Sequence, residues 1–259
     1  MTANPGLVDT HSHIYLSDFD DDRDEVVQRA QSALVQKILL PNIDRSTVDR
    51  LHETEAAYPN ICHAMMGLHP CSVGAQFEQE LQELLDLFSQ RSYIAVGEIG
   101  IDLHWDTTYL EQQKKAFLHQ VDFAHQNDLP IVIHSRKSID LIIDLLEKKA
   151  LPGLRGVFHC FGGDLMQAER IRELGFLMGI GGVATFKNSA LPQVLCNVDP
   201  KYLILETDAP YLTPHPHRGK RNEPAYVSLV AAKLGEVLAL GPDELAAVTS
   251  QNAEKLFFS

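Results

Sequence analysis

Two histidines separated by one residue follow the first apolar run of the chain. Residues 6–9 are predicted to form a strand, and His11 and His13 come directly after it. In extended backbone, side chains two positions apart project to the same side, which Asp9 shares. Neutral imidazole nitrogens bind divalent cations well, and two of them on rigid backbone supply half a site at little ordering cost. Taken alone, the pattern is equally typical of a surface or core histidine pair.

Four more potential metal ligands fall at or just past the carboxyl ends of other predicted strands. They are two carboxylates and two imidazoles: Glu98, His134, His159 and Asp208. Six such groups exceed the ligand needs of one tetrahedral cation, so we predict two divalent metal ions about 3.5 to 4 Å apart, bridged by Glu98. Imidazole favours Zn²⁺ or Mn²⁺, whereas carboxylates and phosphoryl chemistry also permit Mg²⁺.

The alternation of side chains along a strand assigns two neighbouring residues. Cys160 follows His159 directly and is predicted to face the helices, which excludes it as a ligand. Glu206 lies two positions before Asp208 and is predicted to accept a hydrogen bond from a ligating group, although a buried structural acid explains it equally well. The four cysteines form no Cys-x-x-Cys pair, so neither a disulfide framework nor a zinc ribbon is indicated.

Short apolar runs alternate with longer amphipathic stretches along the chain, a pattern that predicts repeated β-α units. The predicted strands span residues 6–9, 37–40, 61–67, 94–98, 131–134, 156–159, 176–180 and 203–206. The predicted helices include residues 21–36, 77–88, 110–127, 137–149, 165–174, 226–240 and 242–257. We therefore predict an α/β fold, a single-domain TIM (β/α)8 barrel over residues 1–259. A doubly wound open sheet is the alternative, but no glycine-rich phosphate loop follows the first strand.

Composition and charge exclude several classes of protein. Hydrophobic residues make up 45% of the chain and charged residues 22%, which is ordinary globular usage. No apolar stretch approaches the ~20 residues of a transmembrane helix, and the start lacks a secretory signal, so we expect a cytoplasmic protein with no membrane partner. The net charge of −13 argues against nonspecific coating of nucleic acid. No obligate protein partner is inferred.

A phosphate substrate would need local positive charge, and the predicted rim provides candidates. The loop after the eighth strand contains the basic segment 215–221, which includes Arg218, although an ordinary solvated loop explains this segment too. Arg136 follows His134, where a helix is expected to begin. Trp105, the only tryptophan, lies in the loop after the fourth strand and is expected either to stack on a base or to pack against that loop.

Five blocks of the sequence resemble the signature blocks of TatD-like metal-dependent deoxyribonucleases: DTHSH, GEIGID, PIVIHSR, HCFGG and ETDAPYLTPHPHRGKRNEP. The resemblance extends over residues 9–257. It implies an amidohydrolase-like TIM barrel, exonuclease action on DNA, and metal ligands at His11, His13, Glu98, His134, His159 and Asp208. His69, in the block Gly-Leu-His-Pro, is a candidate substrate contact. Cys71 and Leu103 depart from the family pattern at positions that affect substrate contacts.

The sequence thus predicts a metal-dependent hydrolase that cleaves phosphodiester bonds of DNA, at single strands or 3′ ends, with a metal-activated water. Asp208 is the predicted general base, and Glu98 is the other predicted catalytic residue. A two-metal amidohydrolase or lactonase that acts on a small carbonyl substrate is the alternative enzyme, because the same site suits both reactions. A metal-retaining nucleic-acid-binding protein without turnover is the alternative from another class.

Overall fold

Parallel strands alternate with helices through residues 6–259, the part of the chain that the computed structural model describes. The strands are β1 (Leu7–Asp9), β2 (Val35–Leu40), β3 (Cys62–Ala64), β4 (Val96–Asp102), β5 (Ile131–Arg136), β6 (Gly156–Phe158), β7 (Leu177–Ile180) and β8 (Leu203–Leu205). The α-helices are α1 (Arg23–Ser32), α2 (Val48–Ala57), α3 (Phe77–Asp86), α4 (Leu110–Gln126), α5 (Ile139–Lys149), α6 (Leu165–Glu173), α7 (Leu191–Leu195), α8 (Val227–Leu238) and α9 (Pro242–Phe257).

The strands close into a ring in which each strand lies beside the next one along the chain. Strands β1–β3 form one hydrogen-bonded segment and β4–β8 form another. Two isolated parallel bridges join these segments, one between Ser12 and Ala209 and one between Met66 and Val96. We call these two joins the seams. The described residues therefore adopt an α/β TIM barrel, which confirms the predicted fold class.

Apolar side chains fill both the interior of the ring and the layer between the ring and the helices. The larger cluster of buried residues packs the outer faces of the strands against the helices. A smaller cluster lies inside the ring. Seven of the eight strands contribute to it one apolar residue that lies in the strand or next to it: Val8, Leu39, Met65, Ala95, Val132, Val157 and Ile204. Leu256 and Phe257 at the end of α9 belong to the same cluster. These contacts fix the strand ends on which the candidate site is built.

Several predicted element boundaries are wrong. The predicted helix 21–36 ends at Ser32, because Leu34 adopts a left-handed φ of 65° and β2 begins at Val35. Helix α2 is absent from the predicted helices, because four of its ten residues are charged and it buries only three side chains. The fourth strand does not end at Glu98 but continues to Asp102.

Helices α8 and α9, taken together, are long and apolar enough to be compared with a membrane span. No single helix within residues 6–259 is long and apolar enough to cross a membrane. The pair 224–238 and 242–257 passes the same test only when combined, and it is bent by 108°. Both helices instead pack on each other and on β1 and β8.

Candidate metal centre

The backbone after β1 places two buried imidazoles side by side. The Nε2 atoms of His11 and His13 lie 3.2 Å apart. The hydroxyl of Tyr15 donates its proton to the carbonyl of Pro41 at 2.6 Å, so it accepts a hydrogen bond from His13 Nδ1 at 2.9 Å. Neutral His13 therefore carries its proton on Nδ1, and the lone pair of Nε2 faces His11.

Glu98 lies at the centre of the cluster, buried within β4. Its Oε2 atom lies 3.1 Å from His11 Nε2. Its Oε1 atom lies 2.8 Å from His134 Nδ1 and 2.9 Å from His159 Nε2. Burial opposes ionisation, but the surrounding imidazoles hold the pKa of Glu98 well below its usual value. The two carboxylate oxygens thus face two different sets of imidazoles, which suits a bridging ligand.

Asp208 approaches the histidine pair from the segment that follows β8. Its Oδ1 atom lies 3.8 Å from His11 Nε2 and 3.6 Å from His13 Nε2. The carboxylate of Asp9 accepts hydrogen bonds from the backbone and hydroxyl of Thr207, at 2.8 and 2.6 Å, and so fixes this segment against β1. Burial opposes ionisation of Asp208, but the nearby imidazoles of His13, His159 and His11 lower its pKa.

Asp102, at the end of β4, orients His134. Its Oδ2 atom lies 2.9 Å from His134 Nε2. Burial opposes ionisation of Asp102, but hydrogen bonds from His134 and from the backbone of His104 hold its pKa far below the usual range. An ionised carboxylate only accepts, so neutral His134 carries its proton on Nε2 and directs the Nδ1 lone pair toward Glu98. Sequence reasoning missed Asp102 because it ended the strand too early; residues 98 and 102 share a side of an extended strand.

Glu206 lies behind His159 and contacts its ring without a hydrogen bond. Its Oε1 atom is 3.5 Å from His159 Nδ1 and accepts a hydrogen bond from the backbone N–H of Cys160 at 2.6 Å. Gly179 leaves the room for this carboxylate, because a Cβ atom there would lie 2.2 Å from Glu206 Oε2. The prediction that Cys160 faces the helices assumed that side chains alternate through residue 160. That assumption does not hold, because β6 ends at Phe158 and Cys160 has a left-handed φ of 48°.

His69 reaches the other side of Glu98 from the turn after β3. Its Nδ1 atom accepts a hydrogen bond from the backbone N–H of Cys71 at 3.1 Å. Neutral His69 therefore carries its proton on Nε2, which lies 3.3 Å from His134 Nδ1 and 3.5 Å from Glu98 Oε1. This geometry presents an N–H donor to the cluster rather than a lone pair, which distinguishes His69 from the other histidines.

The donor set fits divalent cations. The six residues predicted as ligands lie together, and within residues 6–259 three groups of donor atoms have all members within 4.8 Å of one another: His11, Glu98 and His159; His11, His13 and Asp208; His69, Glu98 and His134. Imidazole nitrogens that face one another beside carboxylates repel through their lone pairs unless a proton or a cation lies between them. His11 Nδ1 and His159 Nδ1 are buried and have no hydrogen-bond partner among the described residues.

Two stacked pairs of an aromatic ring and an arginine lie at the rim. Trp105 is 71% exposed, and the guanidinium carbon of Arg136 lies 5.1 Å from the centre of its ring. The guanidinium carbon of Arg218 lies 3.7 Å from the ring centre of Phe186. Trp105 therefore does not pack into its own loop. Arg136 and Arg218 are both exposed at the mouth of the barrel, where the sequence predicted substrate contacts.

Two other residues of the basic segment, at positions 217 and 221, are less available than the sequence indicated. Arg221 forms an ion pair with Asp22 at 2.7 Å and donates a hydrogen bond to the carbonyl of Asp18 at 2.6 Å. His217 stacks on the ring of Tyr226, with ring centres 4.5 Å apart. These residues hold the loop after β8 against α1 and α8.

The family model of TatD related DNases matches residues 8–258 of this chain. The chain belongs to the TatD family. The metal-dependent hydrolase YabD of Bacillus subtilis (strain 168) is 36% identical over 252 residues, which cover 97% of this chain and 98% of YabD. The crystal structure of the TatD homologue YjjV from Escherichia coli K12 matches with a TM-score of 0.91 at 33% identity, covering 98% of both chains. A TatD family hydrolase from Entamoeba histolytica shares the fold, with a TM-score of 0.86 at 22% identity and 98% of both chains covered.

This TatD-family chain is a metal-dependent hydrolase with a TIM-barrel fold. Its groups of histidine, glutamate and aspartate side chains are able to bind metal. Their position at the mouth of the barrel is where enzymes of this fold carry their active sites.

Proposed function

We propose that this TatD-family hydrolase cleaves phosphodiester bonds of DNA, at single strands or 3′ ends. The observation that carries the proposal is the pair of exposed arginines at the rim, Arg136 and Arg218, around a donor set for cations. A guanidinium matches the geometry and charge of a phosphate, whereas an uncharged amide or lactone gives it no counter-charge. This local positive charge offsets the overall charge of −13.

The predicted ligands divide into two sets that share Glu98. His11 and His13 lie beside its Oε2 atom, with Asp208 next to these two imidazoles, and His134 and His159 lie beside its Oε1 atom. We assign one divalent cation to each set, with Zn²⁺, Mn²⁺ and Mg²⁺ as candidates. Bound cations in such a site acidify water and stabilise negative charge on phosphoryl oxygens.

Asp208 is the residue best placed to accept the proton of the attacking water. Its side chain is 14% exposed, whereas that of Glu98 is 3% exposed and enclosed by imidazoles. The lowered pKa of Asp208 keeps its carboxylate ionised near neutral pH, and an ionised carboxylate is the form that accepts a proton. Glu98 holds the two ligand sets together.

His69 and Arg136 bind the phosphate on the β3 to β5 side of the mouth. The Nε2–H group of His69 is oriented by Cys71 and donates to a non-bridging phosphate oxygen. Arg136 is exposed two residues after His134 and supplies a charged donor beside it. Arg218 has the same role on the β8 side.

Product analysis on oligonucleotides with defined ends tests the proposal. A 5′-labelled single strand, a blunt duplex and a panel of lactones and amides are incubated with the protein and Mg²⁺, Mn²⁺ or Zn²⁺. We expect a ladder of products shortened from the 3′ end of the single strand. Turnover of a lactone or an amide, with no nucleotide released under any metal, would overturn the proposal in favour of the carbonyl hydrolase.

A further inference from the structure

Trp105 is the largest exposed apolar side chain at the mouth of the barrel. It lies on the loop between β4 and α4 and exposes 71% of its surface. Packing against the loop does not explain the position of this side chain. Its neighbours are the guanidinium of Arg136 and the ring of His104, whose centre lies 4.8 Å from the centre of the indole. An exposed indole next to a guanidinium is suited to stacking on an unpaired base.

A cleft of about 240 Å³ opens beside this indole. Its walls are the turn 70–74, which directly follows His69, and the start of α4 with Tyr109 and Gln113. At roughly 30 Å³ per water, the cleft has the volume of about eight water molecules. That space is large enough for one nucleobase.

The charges in the cleft favour a neutral ring over a phosphate. Asp102 and Asp106 both line it. Asp106 accepts a hydrogen bond from the backbone N–H of Thr108 at 2.8 Å, and two carboxylates so close together in one cleft disfavour a phosphate there. Carboxylates accept hydrogen bonds from the amino groups of bases. The phosphate is left to Arg136 and His69 at the edge of the cleft.

Asp102 links the cleft to the metal centre. One of its carboxylate oxygens, Oδ1, accepts hydrogen bonds from the backbone N–H groups of His104 and Trp105, at 2.7 and 3.2 Å. The other oxygen, Oδ2, is held by His134. The same carboxylate therefore sets the position of the loop that carries Trp105 relative to a predicted metal ligand. The distance from the cleft to the cluster is fixed by one side chain.

We propose that Trp105 and this cleft bind one unpaired nucleobase, that of the nucleotide adjoining the cleaved phosphate, while Arg136 and His69 contact the phosphate. The inference rests on the proposed function and adds a requirement for single-stranded substrate at this position. A duplex end must fray before its base enters the cleft.

The only tryptophan of the chain makes the inference directly measurable. The metal-loaded protein is titrated with a short, fluorescein-labelled single strand that carries slowly hydrolysed phosphorothioate linkages, and binding is followed by anisotropy. An unlabelled copy of the same strand is then used to follow indole emission. We expect saturable quenching with the single strand and none with a strand of abasic spacers. Binding with unchanged indole emission would overturn the inference but leave the proposed function intact, whereas no binding of any strand would contradict both.

Two variants separate stacking from a general effect of the rim. Trp105→Ala is expected to raise the KM for the oligonucleotide by roughly tenfold, and Trp105→Phe to restore most of the loss. The difference in KM between this oligonucleotide and one with an abasic spacer at its 3′ end should disappear in Trp105→Ala. Met166→Ala is the matched control, because Met166 lies at the same mouth and is 72% exposed. Equal effects of the Trp105→Ala and Met166→Ala substitutions would overturn the inference.

Discussion

Tyr15 and Asp102 act on the candidate site through the imidazoles that they hold. Each accepts a hydrogen bond from one ring nitrogen of a histidine and leaves the lone pair of the other nitrogen facing the cluster. The backbone N–H of Cys71 does the reverse to His69, whose remaining nitrogen becomes a donor. We therefore propose that hydrogen bonds outside the cluster favour metal binding by His13 and His134 and substrate binding by His69.

Removing the charge of Asp102 should weaken metal binding without removing a ligand. We expect Asp102→Asn to lower metal affinity by roughly 10- to 100-fold, because His134 loses the carboxylate that fixes its tautomer. Titration with Zn²⁺ or Mn²⁺ measures the effect. Asp106→Asn removes the same charge four residues away, with no contact to His134, and should bind metal normally. An unchanged affinity in Asp102→Asn would refute this role.

Asp208→Asn tests the general base. We expect kcat for a phosphodiester to fall by roughly 10²- to 10⁴-fold, because the amide cannot accept the proton of water. Metal content should be largely kept, since the other five predicted ligands remain. Kinetics and elemental analysis on the same preparation measure both quantities. Full turnover at unchanged metal occupancy would show that another group accepts the proton, and Asp199→Asn, at an exposed turn, controls for a general loss of charge.

Among the strands, β7 carries no predicted metal ligand, but its Gly179 leaves room for the carboxylate of Glu206. Gly179→Ala would place a Cβ atom 2.2 Å from Glu206 Oε2 and 3.2 Å from the Cα atom of His159. We expect unfolding free energy to fall by roughly 1 to 3 kcal/mol and metal affinity to fall with it, because both neighbours must shift. Gly74→Ala, where no atom lies within 4 Å, is the control. Denaturant titration that shows equal stability of the two variants would contradict this account.

The elements also explain how far the sequence could predict the site. Parallel β-α units bring all strand ends to one rim, so the proximity of the six predicted ligands could be predicted from their positions along the sequence. Asp102 was missed because glycines at positions 97 and 100 weaken the strand signal that continues past Glu98. The ion pair of Arg221 with Asp22 joins residues 199 positions apart, and no local pattern predicts such a contact.

For the molecule as a whole, the net charge of −13 limits how DNA can bind. With Arg136 and Arg218 as the main phosphate contacts, affinity for a single strand should depend weakly on salt. For about two neutralised phosphates, the slope of log K against log salt should be about −1.4. Anisotropy titrations between about 50 and 200 mM salt measure this slope. A slope steeper than about −5 would require a larger basic surface than these two residues provide.

The predicted metal ligands lie on both hydrogen-bonded segments of the barrel, so we expect bound cations to stabilise the seams between them. His11 and His13 flank Ser12 on the three-stranded segment, whereas the other four predicted ligands belong to the five-stranded segment or follow it. Cations bound by residues of both segments would connect the ring across the two seams, each of which has only one isolated β-bridge. Chelation should therefore speed hydrogen–deuterium exchange at the amides of His13 and Gly97, which bond across the seams, more than at Ile131 inside one segment. Equal acceleration at all three would indicate that the ring keeps its shape without the ions.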